Sequence, residues 1–264
     1  MSVAIVTGAS SGIGAELARG LKTRGVDEFW LVARRADRLE ALGRELGVKY
    51  KCISADLSVK EGIETLRAAL ESEKPSVKYL VNAAGFGDFG AFDQLPESEI
   101  EKMIDLNVKA VVLITHMTVP YMERGGRIVQ MGSGSCFAPL PYFNTYSSGK
   151  VFILHYTKSL NYELKKYGVR AICFCPGWVE TEFLGKAGAY RSTHPRASSM
   201  KPMLACKDVV AGCLKAMDKG KVMYVTNWFT KLQHLLFKVI PDPILTKMWL
   251  GMLEHPTDTE ASDE

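Results

Sequence analysis

Several protein classes are excluded by what this chain lacks. Its 264 residues include only six cysteines (Cys52, Cys136, Cys173, Cys175, Cys206 and Cys213), with no CxxC pair and no regular framework. Free thiols in a reducing compartment are therefore expected. There is no HExxH run and no ligand cluster for a metal, so no metal site is expected. There is no GxSxG elbow, and none of the five histidines stands in a recognisable triad order, which argues against a serine hydrolase. The formal net charge is only +4 and no basic block is visible, so nucleic acid is not an expected partner. No apolar run reaches the roughly 20 residues needed to span a bilayer. The first strand begins at residue 3, which leaves no room for a charged and apolar leader, and a cytoplasmic location is expected.

What is present fits one α/β domain better than two. At 47% hydrophobic and 23% charged the chain can bury a large core, and no linker, repeat or low-complexity tract divides it. Its organising stretch is Val3-Ala4-Ile5-Val6-Thr7-Gly8-Ala9-Ser10-Ser11-Gly12-Ile13-Gly14. An apolar strand breaks there into glycines and resumes with Ala15, Leu17, Ala18 and Leu21 on one helical face. Strand, tight turn and helix in that order form a dinucleotide-binding motif, with the helix start facing a pyrophosphate. Gly8, Ser10, Ser11, Gly12, Ile13 and Gly14 are its candidate contacts, although the spacing is not the standard GxGxxG.

Further along, Phe29 to Val32 reads as a second strand ending in Ala33-Arg34-Arg35. A carboxylate at this point would bind the ribose 2′-hydroxyl of NAD. Two arginines instead suit a 2′-phosphate and favour NADP(H), unless they are simply solvated charges opening a helix through Leu46. Lys49 to Ser54 is a third strand, followed by Asp56 and Leu57; the Asp56 carboxylate accepts from an adenine amino group or caps the next helix. A fourth strand opens into Asn82-Ala83-Ala84-Gly85, whose small residues let backbone approach a cofactor. A long amphipathic helix is expected from Glu97 to Met122, with Asn107 turned inward in its middle. Arg127 to Met131 is a fifth strand, with Ser133 and Ser135 at its carboxyl end, where ligands of open α/β sheets bind. A helix from Asn144 to Tyr167 carries Tyr146 and Lys150 four residues apart. After the sixth strand, Val169 to Cys175, the loop Pro176-Gly177-Trp178-Val179-Glu180-Thr181 adds Pro176, Gly177, Val179 and Thr181 to the cofactor candidates. Residues 182–207 read as a substrate loop, followed by a short helix from Asp208 to Met217 and a seventh strand, Val222 to Val225.

The chemistry centres on Tyr146. A phenol titrates near ~10 in water, so shuttling a proton at neutral pH calls for a neighbouring cation, which Lys150 supplies. Lys150 is also placed to hydrogen-bond a nicotinamide ribose, Ser133 to hold a carbonyl oxygen gaining charge, and Asn107 to hold a relay water. The motifs Thr7-Gly8-x-x-x-Gly12-Ile13-Gly14, Asn82-Ala83-Ala84-Gly85, Asn107, Ser133, Tyr146-x-x-x-Lys150 and Pro176-Gly177 fall in one order and spacing. In this the chain resembles the short-chain dehydrogenase/reductase family over nearly all of residues 1–226. Three positions differ from its usual pattern: Ala83 for a second Asn, Gly149 before the lysine, and Met131-Gly132 before Ser133. The resemblance implies an α/β Rossmann-like doubly wound domain with a seven-stranded parallel sheet flanked by helices. It also implies NADP(H) chemistry, a catalytic set of Asn107, Ser133, Tyr146 and Lys150, and a homodimer or homotetramer built on the helices carrying Asn107 and Tyr146.

Residues 227–256 form an apolar helical extension of the same domain, and residues 257–264 an acidic tail expected to be disordered. The extension is greasier than a nucleotide fold requires: it caps a pocket, lies peripherally on a membrane, or packs against another subunit. With Phe86, Phe89, Phe137, Tyr142, Trp178 and Phe183 as pocket walls and Ser133, Ser135 and Tyr146 at the reacting end, the arrangement resembles family members acting on lipid-like ketones. The expected substrate is a hydroxysteroid or bile acid, with a long-chain 3-oxoacyl compound as the alternative. A nucleotide-binding sensor without chemistry is the competing class of function.

Overall fold

Alternation within the first strand sets the layering. In β1 (Ser2–Thr7), Ala4 and Val6 pack on one face and Val3 and Ile5 on the other, and all four are buried. A strand covered on both sides requires this, because successive side chains point opposite ways. A computed structural model of the chain describes residues 1–183, 196–197 and 203–254. β2 (Glu28–Ala33), β3 (Lys49–Ser54), β4 (Ser76–Asn82), β5 (Met122–Met131) and β6 (Arg170–Cys175) lie parallel to β1. β7 (Arg196–Ala197) stands apart, pairing antiparallel with β9 (Leu253–Glu254), while β8 (Met223–Val225) completes the main sheet. The order is β3-β2-β1-β4-β5-β6-β8, so the seven-stranded parallel sheet is as expected.

Helices cover both faces. α1 (Gly12–Leu21), α2 (Ala36–Leu46) and α7 (Cys206–Asp218) bury Leu17, Leu39, Leu42, Val210 and Leu214 against the Ala4–Val6 side. α3 (Lys60–Glu73) and α5 (Ala110–Thr118) bury Ile63, Leu66 and Ile114 against the Val3–Ile5 side. α6 (Asn144–Glu163) packs Ile153 and Leu154 near Cys173 and Cys175 of β6. Side chains buried as fully as Trp30, Phe29 and Phe174 each contribute about 1.5–3 kcal/mol. The strand order reverses at β1, between β2 and β4. This is the switch point where the carboxyl ends of strands open a crevice.

The helix expected from Glu97 to Met122 is not continuous. It runs as α4 (Glu97–Ile104), a π turn over Asp105–Lys109, α5, and a 3₁₀ turn over Val119–Tyr121, and Met122 already begins β5. Asn107 sits at the centre of the π turn, where the ladder widens to i→i+5, from the Ala110 N–H to the Asp105 carbonyl. The stretch Glu97–Tyr121 is long and apolar enough to cross a membrane, contrary to the sequence expectation, yet Met103, Ala110, Ile114 and Met117 are packed into the fold. Near the chain end come α8 (Trp228–Leu236) and α9 (Asp242–Leu250). The loop expected over 182–207 is described only at its ends and at 196–197, and the acidic tail 257–264 lies outside the described residues.

Candidate active site

The crevice is shaped by backbone contact. Gly8 has φ +67°, and a Cβ there would lie 2.7 Å from the Ala83 carbonyl and the Ala84 nitrogen. Thr7 makes this junction: its Oγ1 accepts from the backbone N–H groups of both Ala83 and Ala84 at 3.1 Å. Across the opening, a Cβ on Gly12 would meet Thr181 at 3.3 Å, so the glycine turn faces the loop after β6. That loop is tied down by the Gly134 N–H donating to the Pro176 carbonyl (2.7 Å) and the Gly177 N–H donating to Thr226 Oγ1 (3.2 Å). Val179 bridges to Leu204. Ser11 precedes α1 without capping it through its side chain, and no acidic residue lies in the first turn. The leading N–H groups therefore suit an anion. A dinucleotide pyrophosphate fits this cradle.

The two arginines after β2 have different surroundings. Arg35 Nη2 donates to Ser10 Oγ (3.0 Å) and Ser11 Oγ (2.8 Å), and Arg35 Nη1 pairs with Glu182 at 2.8 Å. Arg38 also pairs with Glu182, and the two guanidiniums, Arg38 foremost, hold that carboxyl down to about 2. Arg34 is largely exposed, 3.7 Å from Asp56 Oδ2. Asp56 Oδ1 accepts from the Ser58 N–H and hydroxyl, a local turn that leaves Oδ2 facing Arg34. Leu57 puts its side chain into the core on the Val3–Ile5 side, and Ile13 and Ala83 pack at the margin of the core on the Ala4–Val6 side. Asn82 is fully buried, donating to Thr115 Oγ1 and Gln130 Oε1 at 3.0 Å each, so its side chain braces the strand ends from below.

Tyr146 and Lys150 come from the first two turns of α6, and both are buried, at 8% and 4% exposure. Lys150 Nζ lies 5.4 Å from the Tyr146 ring centroid and donates to the Met131 carbonyl at 2.9 Å. Gly85 borders both Lys150 and Asn107: a Cβ there would be 2.7 Å from Asn107 Oδ1 and 3.6 Å from Lys150 Nζ. The Asn107 amide is committed to one neighbour, with Nδ2 donating to the Phe86 carbonyl (2.6 Å) and Oδ1 accepting from the Phe86 N–H (3.1 Å). It therefore anchors the loop after β4. Ser133 Oγ accepts from the Ser135 N–H at 3.1 Å, which leaves the hydroxyl hydrogen available to donate. Ser135 Oγ is buried without a partner among the described residues.

The electrostatics depart from the sequence expectation. Burial pushes the Tyr146 phenol up, and the Ser133 hydroxyl only partly offsets this. The Lys150 ammonium, 5.4 Å from the ring centroid and bonded to the Met131 carbonyl, does not outweigh this burial. Burial takes Lys150 itself down to about 8, while the Cys173, Cys136 and Cys175 thiols pull the other way. Those thiols also account for the unusual Gly132, where a Cβ would lie 2.7 Å from Cys173 Sγ and 2.8 Å from Cys175 Sγ.

An aromatic stack lines the Tyr146 side. Phe143 stacks on Tyr146 (4.5 Å between centroids) and on Phe89 (4.1 Å), and Phe183 leans on Tyr146 from 5.5 Å. Phe86, Tyr142 and Trp178 pack against the same cluster. Phe137 does not join it: it lies on His234, at 4.0 Å, beside Cys136 and Ile153, because the 3₁₀ turn after Ser133 sends it towards α8. Two members were not among the pocket walls expected from the sequence. Phe143 is one; the other is Trp249 of α9, stacked 6.3 Å from Phe89 with its Nε1 donating to the Pro141 carbonyl at 2.8 Å. Trp249 lies 108 residues from Pro141 and farther still from Phe89, so no local pattern ties it to them.

A family model described as short chain dehydrogenase matches residues 2–191. A serine 3-dehydrogenase of Rhizobium radiobacter is 33% identical over 184 residues, 68% of this chain and 72% of that protein. Among solved structures, a short-chain dehydrogenase from Sphingobium yanoikuyae in complex with NADPH superposes with a TM-score of 0.77 at 27% identity, covering 91% of this chain and 97% of that one. A bulky-bulky ketone specific alcohol dehydrogenase from Comamonas testosteroni superposes with a TM-score of 0.72 at 25% identity, covering 91% and 95%. The chain belongs to the short-chain dehydrogenase family. It is thus an oxidoreductase of a class that acts on CH–OH groups and whose structural neighbours bind nicotinamide nucleotides.

Proposed function

We propose that this protein is an NADP(H)-dependent oxidoreductase interconverting a secondary alcohol and a ketone on a hydrophobic substrate. A hydroxysteroid or bile acid is the favoured class and a long-chain 3-oxoacyl compound the second. Tyr146 carries this reading: a buried phenol between the Ser133 hydroxyl and a continuous aromatic wall, with Lys150 against its ring. Bound NADPH supplies a hydride. Tyr146, whose raised pKa keeps its proton at neutral pH, donates it to the substrate oxygen, and Ser133 donates a hydrogen bond to the same atom. Lys150 returns positive charge to the site, and Asn107 holds Phe86 and Gly85 beside it. Arg34 and Arg35 receive the 2′-phosphate, Arg35 by exchanging the Glu182 carboxylate for it.

The likeness to an enzyme named for bulky ketones supports the substrate class, as does the extent of the wall from Phe89 to Trp249. A single domain over 1–226, with 227–256 folded onto it, is supported by the Trp249 contacts. A homodimer or homotetramer is supported by half-exposed Ile104 and Phe152 on the Asn107 and Tyr146 helices, and a cytoplasmic setting by six free thiols.

Purified protein should consume NADPH in preference to NADH with at least one ketone from a panel of steroids, bile acids and 3-oxoacyl thioesters. Tyr146→Phe should abolish that turnover while NADPH binding stays near normal. Retained turnover in Tyr146→Phe removes the proton-donor role; NADPH binding without turnover of any compound by the parent favours the sensor.

A further inference from the structure

The C-terminal helices present two opposite sides. Inward, Thr230, Leu245 and Trp249 are buried, and Asn227 caps α8 by accepting from the Thr230 N–H at 2.8 Å, so the helices are firmly seated. Outward, Trp228 is 74% exposed, Leu235 62% and Val239 77%, with Leu232, Leu236, Ile244 and Met248 also exposed. Trp228, Leu232 and Leu235 share one face of α8 at i, i+4 and i+7, and Val239 follows in the turn beyond it. Singly exposed apolar side chains are ordinary on a protein surface, but so many on two consecutive helices mark a surface that is covered in use.

Charge decides what covers it. No basic block shows along the sequence, yet residues 219–250 hold five lysines and one acid, Asp242: Lys231, Lys238 and Lys247 in the extension itself, and Lys219 and Lys221 just before β8. That surplus equals the +4 of the whole chain, and all five lysines are exposed. Lys231 lies beside the Trp228–Leu235 stripe, and Lys238 follows α8 next to Val239. A second copy of the chain on a two-fold axis would set one lysine-rich face against another, and like charges oppose that. An anionic bilayer meets both properties: apolar side chains and a tryptophan enter the headgroup boundary while lysines remain among acidic headgroups.

We propose that the outer face of α8 and α9 is a peripheral docking surface for an anionic lipid bilayer. The contact is electrostatic in reach and apolar in depth. It holds the aromatic wall beside the lipid, because Trp249, on the inner side of α9, is part of that wall. Docking does not depend on the catalytic reading and is read on protein carrying Tyr146→Phe as well as on the parent.

The full chain is floated with vesicles of phosphatidylcholine, with and without a phosphatidylglycerol fraction, and its mass in solution is measured in parallel. Binding is expected only to the phosphatidylglycerol vesicles, weakening as salt rises. Lys231→Gln with Lys238→Gln should weaken it about thirtyfold, since each lysine near an anionic surface is worth about a fivefold change. Trp228→Ser with Leu235→Ser and Val239→Ser should abolish it without changing melting temperature or oligomeric mass. Absence of binding by the parent, or equal binding to both vesicle types, overturns the proposal. Dissociation of an oligomer by the triple substitution overturns it too, by making the face a subunit interface.

Discussion

At the residue level, Lys150 is a buried cation in the middle of the candidate site. An ammonium at 4% exposure with one backbone carbonyl partner carries a desolvation cost that neutral thiols nearby do little to relieve. Its folded pKa of about 8 lies below the ordinary 10.5. Between those values the unfolded chain binds the extra proton, so stability rises with pH over that window. Above about 10 the Tyr146 phenol acts in the opposite sense, since its pKa is raised on folding. Lys150→Met should abolish turnover yet melt higher than the parent at neutral pH, with the advantage shrinking as pH climbs from 8 towards 10.5. Thermal melts across that range check it, and a pH-independent difference removes the assignment. Residue types announced much of this site: Tyr146 and Lys150 were visible as a spaced pair on a helix that follows Ser133 at a strand end. The direction of the Tyr146 shift was not, because burial is a property of surroundings brought from elsewhere in the chain.

Secondary-structure elements tell a similar story with a sharper division. Most strand boundaries followed the apolar runs, since a buried parallel strand declares itself by continuous hydrophobicity, but β5 begins at Met122, five residues before the expected Arg127; Lys49–Ser54 matched to the residue although β3 is a half-exposed edge strand. The π turn around Asn107 was invisible, because an extra residue in a helix leaves apolar periodicity almost unchanged over two turns. It follows instead from the reciprocal bonds between the Asn107 amide and Phe86. The β1–α1 turn was recognisable from its glycines, and its geometry makes a quantitative prediction. At Gly8 a Cβ would meet immovable backbone at 2.7 Å with φ at +67°, whereas at Gly125, φ +92°, nothing lies within 4 Å. Gly125→Ala should cost only the backbone term of about 1–2 kcal/mol. Gly8→Ala should cost that plus a further ~1–3 kcal/mol of overpacking, and should weaken NADPH binding. Urea denaturation of both variants measures the difference; equal losses would mean that the β4 loop yields.

On the scale of the whole molecule, the C-terminal extension and the candidate site are one structure. Trp249 joins α9 to Phe89 and to the Pro141 carbonyl, and β9 pairs with β7. Removing the indole leaves a cavity and an unpartnered carbonyl, so Trp249→Ala should destabilise the fold by about 3–5 kcal/mol. It should also raise KM for bulky ketones more than for small ones while leaving NADPH affinity unchanged. Denaturation curves and steady-state kinetics test both parts. A purely local loosening of α9, with KM untouched, would separate the extension from the substrate wall. The same extension carries Lys231, Lys238 and Lys247 against one acid, Asp242, so it is net positive.

By itself the sequence determined the order of strands and helices, the glycine-rich turn after β1 and the Tyr146–Lys150 spacing. These depend on interactions within about ten residues, which composition and periodicity record. Only the tertiary structure decided that Thr7 ties β1 to the β4 loop, that Arg35 rather than Arg34 grips the glycine turn, and that Trp249 closes the aromatic wall while Phe137 leaves it. Each of these pairs groups far apart along the chain. Their contact is set by how the sheet twists and how helices seat on it, and no local propensity encodes either.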